Sequence, residues 1–174
     1  MMAFAHDPRR RQILSAGGGL LLSAVLLRTA RAADEVEIAL SGTANGSEVW
    51  FRPRAILIQP GQTVRWVNRD KGNVHTTTAY HPDNGKPLRI PAQAKSWNSD
   101  YLMPGESFAM TFDVPGVYDY YCIPHEHAGM VGRLIVGTAD AASPPYADTD
   151  AQLPPAALNA LPAIGDILRQ KAVP

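Results

Sequence analysis

Short stretches in which apolar and polar residues alternate recur along the middle of the chain, and turn residues separate them. In Ser107–Asp113, for example, Phe108, Met110 and Phe112 share one face. A period of two residues is typical of half-buried β-strands. The pattern predicts eight strands: Val36–Leu40, Glu48–Arg52, Ala55–Ile58, Thr63–Asn68, Val74–Thr78, Ser107–Asp113, Val117–Cys122 and Arg133–Val136.

Three Pro-Gly pairs lie just ahead of predicted strands, at Pro60-Gly61, Pro104-Gly105 and Pro115-Gly116. Proline presets φ at the first central position of a turn, and glycine accepts the positive φ at the second. The polar, proline-rich stretch Tyr80–Met103 is expected to be a long excursion between strands. Short strands joined by such turns, with no helical periodicity between them, predict an all-β sandwich or barrel.

The N-terminus combines positive charge with an apolar run. Arg9, Arg10 and Arg11 precede an apolar stretch that ends at Leu27 and is shorter than the ~20 residues of a bilayer-spanning helix. Small residues at Ala30 and Ala32 fit a signal-peptidase site. Residues 1–32 are therefore expected to be an export signal that directs the protein to the periplasm. Its arginines resemble the twin-arginine motif, with an ordinary secretory signal or an uncleaved anchor as alternatives.

The composition changes again near the C-terminus. Residues 138–155 are rich in Ala, Ser, Pro and Asp, which is typical of a linker. Residues 156–173 carry apolar residues at helical spacing, interrupted by Pro162. The predicted organisation is an export signal at 1–32, a β domain at 33–137, and a linker with a short amphipathic tail at 138–174. The tail is expected to be a short helix packed on the β domain or a frayed end, and the alternative is docking to a partner or a membrane surface.

Charge and cysteine content exclude several classes of protein. The 174 residues include 16 Lys or Arg and 16 Asp or Glu, so nothing favours a nucleic-acid partner. The chain has 1 cysteine, which excludes an intramolecular disulfide and any multi-cysteine zinc or iron–sulfur centre.

That single cysteine lies in a short segment with other metal-binding side chains. Cys122 is followed closely by His125, His127 and Met130. Thiolate, imidazole and thioether groups together suit copper, and a Cys/His/His site with a weak axial Met is the blue-copper arrangement. Zinc fits less well because structural zinc sites need four strong ligands. A second histidine must come from elsewhere, and His75 is the best candidate, with His81 and His127 as competitors.

The segment Cys122-Ile123-Pro124-His125 followed by Met130 resembles the copper loop of the cupredoxin family, especially plastocyanins, pseudoazurins and halocyanin-like proteins. The turn Asp70-Lys71-Gly72 also matches, and the resemblance covers Val36–Gly137. It implies an eight-stranded Greek-key β-sandwich that binds one type 1 copper per chain. The ligands carried over by the resemblance are His75, Cys122, His125 and the axial Met130.

The resemblance and strand parity also assign the tyrosines. Tyr118 matches the tyrosine-corner position of the family. Tyr120 has the same strand parity as Cys122 and is expected to point into the core, whereas Tyr121 is expected to face outward. One departure concerns Thr76 and Ile123, which stand where similar proteins carry a polar side-chain pair that ties the two ligand loops together. Backbone hydrogen bonds to the sulfur can remain without that pair.

A closed four-ligand copper site has no open position for a substrate, so the expected function is one-electron transfer rather than enzymatic catalysis. The resemblance implies a monomeric periplasmic carrier whose partners are redox proteins such as c-type cytochromes or periplasmic oxidoreductases. No nucleic-acid partner is expected, and no membrane contact beyond an uncleaved signal. The alternative is a copper chaperone or buffer protein, although such proteins usually have exposed sites rich in Met or His.

Overall fold

The computed structural model describes residues 35–43, 45–138 and 152–174. The predicted export signal and most of the predicted linker lie outside the described residues. Among those that are described, no helix has the length and apolar character needed to cross a bilayer.

Two packed β-sheets form the body of the protein, as the alternating pattern predicts. One sheet has the strand order β2-β1-β4-β6 and the other the order β5-β7-β8-β3-β9. The pairs β1/β4 and β3/β8 are parallel, and the remaining pairs are antiparallel. The strands are β1 (Val36–Gly42), β2 (Val49–Arg52), β3 (Ala55–Ile58), β4 (Gln62–Asn68), β5 (Thr78–Ala79), β6 (Ser107–Phe112), β7 (Gly116–Tyr121), β8 (Val131–Val136) and β9 (Ala172–Val173).

The core between the sheets is rich in aromatic side chains. Trp66 on β4 is fully buried, and its ring centroid lies 5.8 Å from that of Trp97 and 5.5 Å from that of Tyr120. Tyr120 points into this core, as strand parity predicts. The hydroxyl of Tyr118 donates a hydrogen bond of 2.6 Å to the carbonyl of Val114, which is the contact of a tyrosine corner. The inner face of β7 is therefore packed against the core through Tyr118 and Tyr120.

One predicted strand is wrong in extent. Instead of a strand over Val74–Thr78, the structure has the two-residue β5 and two isolated bridges, which pair His75 with Leu102 and Thr78 with Asn98. The reason is the long excursion Tyr80–Met103. Its residues Trp97 and Leu102 are buried in the core, and their backbone groups form hydrogen bonds with Ala79 and His75 where a neighbouring strand would otherwise pair.

The C-terminal tail forms two short helices, α1 (Pro155–Ala160) and α2 (Ile164–Gln170), on either side of Pro162. Proline at that position separates them because it has no amide hydrogen to donate. The tail then ends in β9, which pairs antiparallel with β3 and which the sequence pattern does not predict. Buried Ile167 of α2 packs with Ala55, Val117 and Ile135 on the outer face of the second sheet.

Because the tail covers that outer face, β7 is buried on both sides along its whole length. The covered face contains a charged network. Asp119 of β7 accepts hydrogen bonds from Arg89 Nε at 3.0 Å and from Arg133 Nε at 2.6 Å, and all three side chains are buried. Arg133 also donates to the carbonyl of Pro162 at 3.0 Å, so the network fastens the tail to the sheet.

We predict that Asp119→Ala lowers the free energy of unfolding by roughly 3–5 kcal/mol, because it removes a buried carboxylate that both buried guanidinium groups contact. Chemical denaturation of the metal-free chain measures this loss. Asp113→Ala, which removes an exposed carboxylate from the turn ahead of the same strand, is the control and is expected to have little effect. Equal stability of the two variants would contradict the prediction.

Candidate metal centre

The loop that joins β7 to β8 is closed by its own backbone. The amide of Cys122 donates to the carbonyl of Met130 at 3.0 Å, and the amide of Met130 donates to the carbonyl of His125 at 3.1 Å. Between them lies a 3₁₀ helix, Ile123–Ala128. Pro124 is in its first turn, and Gly129 follows its last residue. Gly129 has φ of 80°, a left-handed conformation that favours glycine. The loop therefore has a fixed shape before any metal binds.

His75 reaches the same place from the other sheet. It follows β4, and its backbone pairs with Leu102 through bonds of 3.2 and 2.8 Å. The imidazole of His75 is fully buried. Its Nδ1 lies 3.7 Å from Cys122 Sγ, and the Nδ1 of His125 lies 3.4 Å from the same sulfur.

Three of the four predicted ligands thus converge. One donor atom from each of His75, Cys122 and His125 lies within 4.8 Å of the other two. Met130, the predicted axial ligand, is fully buried and belongs to the same core cluster as Cys122. His125 is the one partly exposed residue of the four, so the group approaches solvent at His125.

Burial sets the protonation of the metal-free site. It raises the pKa of the Cys122 thiol to about 11, although hydrogen bonds from Thr76 and His125 act in the opposite direction. Burial also lowers the pKa of His75, against the effect of Asp70, and the pKa of His125. At neutral pH both imidazoles are therefore ready to coordinate, while Cys122 must release a proton when a metal binds.

A buried carboxylate orients His75. Asp70 Oδ2 lies 3.1 Å from His75 Nε2, which makes Nε2 the protonated nitrogen and leaves the Nδ1 lone pair facing Cys122. Burial by itself would raise the pKa of Asp70, but hydrogen bonds from Asn73, from the Gly72 amide and from His75 outweigh it and lower the pKa to about 2. At neutral pH Asp70 is therefore a negative charge beside His75.

The two ligand loops are tied together through Thr76. Its amide donates to Cys122 Sγ at 3.3 Å, and its hydroxyl oxygen accepts the amide of Ile123 at 2.9 Å. Of these two hydrogen bonds, one uses the side chain of Thr76 and the other uses its backbone amide. The departure at Thr76 and Ile123 therefore changes the chemistry of the tie without removing it.

The two competing histidines lie outside this cluster. His81 Nδ1 accepts the amide of Asp83 at 3.1 Å and caps a short 3₁₀ helix, Pro82–Asn84. His127 is exposed on the ligand loop. Among the described residues, neither joins the group of converging donors.

Strand parity is misleading for Tyr121. It does face away from the core, as predicted, but it is only 3% exposed because the C-terminal tail packs over it. Tyr121 therefore lies on the outer face of its sheet, as predicted, but that face does not reach solvent at this position. Sequence reasoning also gave Asp70 no role, although an Asp-Lys-Gly turn just before the first histidine is a recognisable signal for a carboxylate that caps the ligand loop.

The donor set fits copper. One thiol and two imidazole Nδ1 atoms lie close together near a buried methionine, and this combination of soft and intermediate ligands suits both copper oxidation states. With these ligands the site is closed to substrates, so its chemistry is limited to gaining and losing one electron.

Comparison with known proteins identifies relatives of the chain. Residues 36–137 match the family described as copper binding proteins, plastocyanin/azurin family. The chain is 36% identical over 126 residues to a chloroplastic plastocyanin of Tetradesmus obliquus, covering 66% of this chain and 84% of that protein. It is 31% identical over 109 residues to a pseudoazurin of Methylorubrum extorquens, covering 61% and 64%. The crystal structure of pseudoazurin from Methylobacterium extorquens AM1 superposes with a TM-score of 0.56 at 24% identity, covering 79% of this chain and 98% of that one, which supports the fold.

We predict that Asp70→Asn raises the reduction potential of the copper-loaded protein, because a fixed negative charge beside His75 favours the oxidised state. The expected shift corresponds to roughly 1–3 kcal/mol of lost electrostatic stabilisation. Redox titration of the visible band measures it. Asp113→Asn, which removes an exposed charge, serves as the control, and identical potentials in both variants would show that Asp70 does not act on the metal.

Proposed function

The chain belongs to the plastocyanin/azurin family of copper-binding proteins, and on that premise we propose that His75, Cys122, His125 and Met130 hold its single copper ion. Like its relatives, it is a blue copper electron carrier and not an enzyme. The observation that carries the ligand assignment is the convergence of two imidazole nitrogens and one thiol sulfur within 4.8 Å inside the core.

Bound copper supplies a one-electron couple between Cu(I) and Cu(II). The protein's own contribution is to hold one geometry in both states. Asp70 fixes the ring of His75, the amide and hydroxyl of Thr76 tie the two loops, and the closed backbone of the Cys122–Met130 loop fixes His125. Because these bonds do not depend on the charge of the metal, little rearrangement has to accompany electron transfer.

Electrons enter and leave through the His125 end of the molecule in this proposal. His125 is the only one of the four proposed ligands that is not fully buried. Ile123, Pro124 and Ala128 are exposed beside it on the same loop, and Ile123 is 39% exposed. Small apolar side chains around a partly exposed ligand suit a flat surface against which a redox protein can dock.

We place the carrier in the periplasm, as a monomer that exchanges electrons with redox proteins such as c-type cytochromes or periplasmic oxidoreductases. The arginine-rich, apolar N-terminus supports export, and the similarity to a bacterial pseudoazurin agrees with it. The rival function, a copper chaperone or buffer, needs ligands that a recipient protein can reach. Complete burial of His75, Cys122 and Met130 favours the carrier.

We predict that Cys122→Ser abolishes the intense visible band of the copper-loaded protein, because the band arises from the bond between Cu(II) and the thiolate. His75→Ala should disable the site as well. Visible absorption and copper stoichiometry provide the measurement. His81→Ala and His127→Ala are the matched controls and should leave the spectrum nearly intact. Bleaching by His81→Ala would overturn the assignment of His75.

The docking surface generates a separate prediction. Ala128→Glu should slow the second-order reaction with a purified c-type cytochrome by roughly tenfold, equivalent to ~1.4 kcal/mol, because a charge must then be desolvated in an apolar contact. The visible spectrum should not change. Ala92→Glu adds the same charge at an exposed position next to Pro91, which contacts the beginning of β7 at the other end from Cys122. Equal rates in the two variants would contradict docking at the His125 end.

A further inference from the structure

Tyr121 lies beside the metal centre and is covered by the C-terminal tail. Its ring packs in a buried cluster with Tyr80, Val131 and two tail residues, Leu153 and Ala157. Leu158, Ala160 and Leu161 pack against the same cluster. We call the tail residues 153–161 the tail cover.

The remaining sides of the Tyr121 ring are also enclosed. Tyr80 stacks on it with a centroid separation of 4.6 Å and an interplanar angle of 29°. The ammonium group of Lys86 lies 5.1 Å from the ring centroid and is bonded to buried Glu126 at 2.5 Å. Among the described residues around the ring, those of the tail cover belong to a segment outside the β-sandwich.

The tail is fastened to the β-sandwich at several points in and beyond the tail cover. Arg133 donates to the carbonyl of Pro162, just beyond α1, at 3.0 Å. Further along, the amide of Arg54 donates to the carbonyl of Val173, and that of Leu57 to the carbonyl of Lys171, both at 2.8 Å. α1 also contacts the ligand loop at Gly129. The approach is so close that a Cβ at this position would lie 3.1 Å from the carbonyl oxygen of Ala156 and 3.3 Å from Ala160 Cβ. These contacts hold the cover in place over the outer sheet.

The position of Tyr121 gives the cover a consequence for electron transfer. Tyr121 is bonded directly to Cys122 along β7, so a short covalent path joins its ring to the proposed thiolate ligand. Electron tunnelling decreases steeply with distance. A helix with its side chains is roughly 10 Å across, so α1 keeps a redox partner that much farther from the ring.

We propose that the tail cover insulates the metal centre at Tyr121 and thereby directs electron exchange to the His125 end. This inference rests on the proposed function. Without the cover, the aromatic surface over Tyr121 is a second exchange position. An electron reaching hexacyanoferrate(III) there gives hexacyanoferrate(II) and leaves the metal centre one electron more oxidised. The Tyr121 ring lies on the path, remains reduced and keeps its proton.

The test uses a matched pair of substitutions in α1. Ala157→Glu places a charge at a fully buried position in the cluster that contains Tyr121 and should displace the cover. Ala156→Glu makes the same substitution at the neighbouring exposed position and leaves the apolar contact intact. Both add one negative charge to the same helix, so their electrostatic effects on an anionic oxidant are matched.

Two measurements are made on the full copper-loaded chain. Nitration by tetranitromethane with peptide mass spectrometry reports the accessibility of each tyrosine, with Tyr101, which is 57% exposed, as the internal reference. Stopped-flow oxidation of the reduced protein by hexacyanoferrate(III) reports the rate. In Ala157→Glu we expect nitration of Tyr121 to approach that of Tyr101 and the rate to rise several-fold. In Ala156→Glu and the unmodified chain, Tyr121 should stay protected and the rate should not change.

Other outcomes would overturn the proposal. If Tyr121 becomes accessible in Ala157→Glu but the rate equals that of Ala156→Glu, the cover does not insulate the centre. Should Ala157→Glu fail to fold, Leu153→Ala takes its place, because it removes apolar contact from the same cluster without adding a charge. Protection of Tyr121 in every folded variant would show that the tail is not its cover. Failure of the proposed function itself is distinct, since it appears as a missing thiolate band in the unmodified chain.

Discussion

The metal centre depends on the antiparallel pairing of β7 with β8. Their register sets Tyr121 opposite Val131, and the next backbone bond joins Cys122 to Met130. Everything between those two residues must therefore fit into one short loop, and the 3₁₀ helix with its left-handed Gly129 is a conformation that does so. This constraint brings a thiol, an imidazole and a thioether to one end of the sandwich and leaves only the second imidazole to be supplied from elsewhere.

A second layer of residues adapts that loop to its task. Asp70 selects the tautomer of His75. Thr76 links the His75 loop to the sulfur of Cys122 and to the amide of Ile123. None of these groups needs to move when the charge of the site changes. Burial of the sulfur raises the thiol pKa in the metal-free chain, against the hydrogen bonds from Thr76, and copper binding is therefore coupled to release of a proton.

The C-terminal tail adds a third layer to the two sheets, on the outer face of the second sheet. It buries the outer face of β7, where Asp119 joins Arg89 and Arg133, and Arg133 in turn holds the tail at Pro162. Stability and function meet on this strand, because the same tail that encloses the ion-pair network also encloses Tyr121, next to Cys122. Of the four proposed ligands, His125 is the one that is not fully buried.

The sequence alone determined the sheet class and the ligand types, because the two-residue period of the strands and the spacing of Cys122, His125 and Met130 are local properties. It predicted most strands within a residue or two and placed three of the four predicted ligands on the loop between the last two strands of the predicted sandwich. Tertiary structure decided the rest. Asp70 and Thr76 acquire their roles only when the His75 loop folds against Cys122, and strand parity could not show that a distant segment covers Tyr121. Parity assigns a side chain to a face of a sheet, but whether that face meets water depends on contacts between residues far apart in the chain.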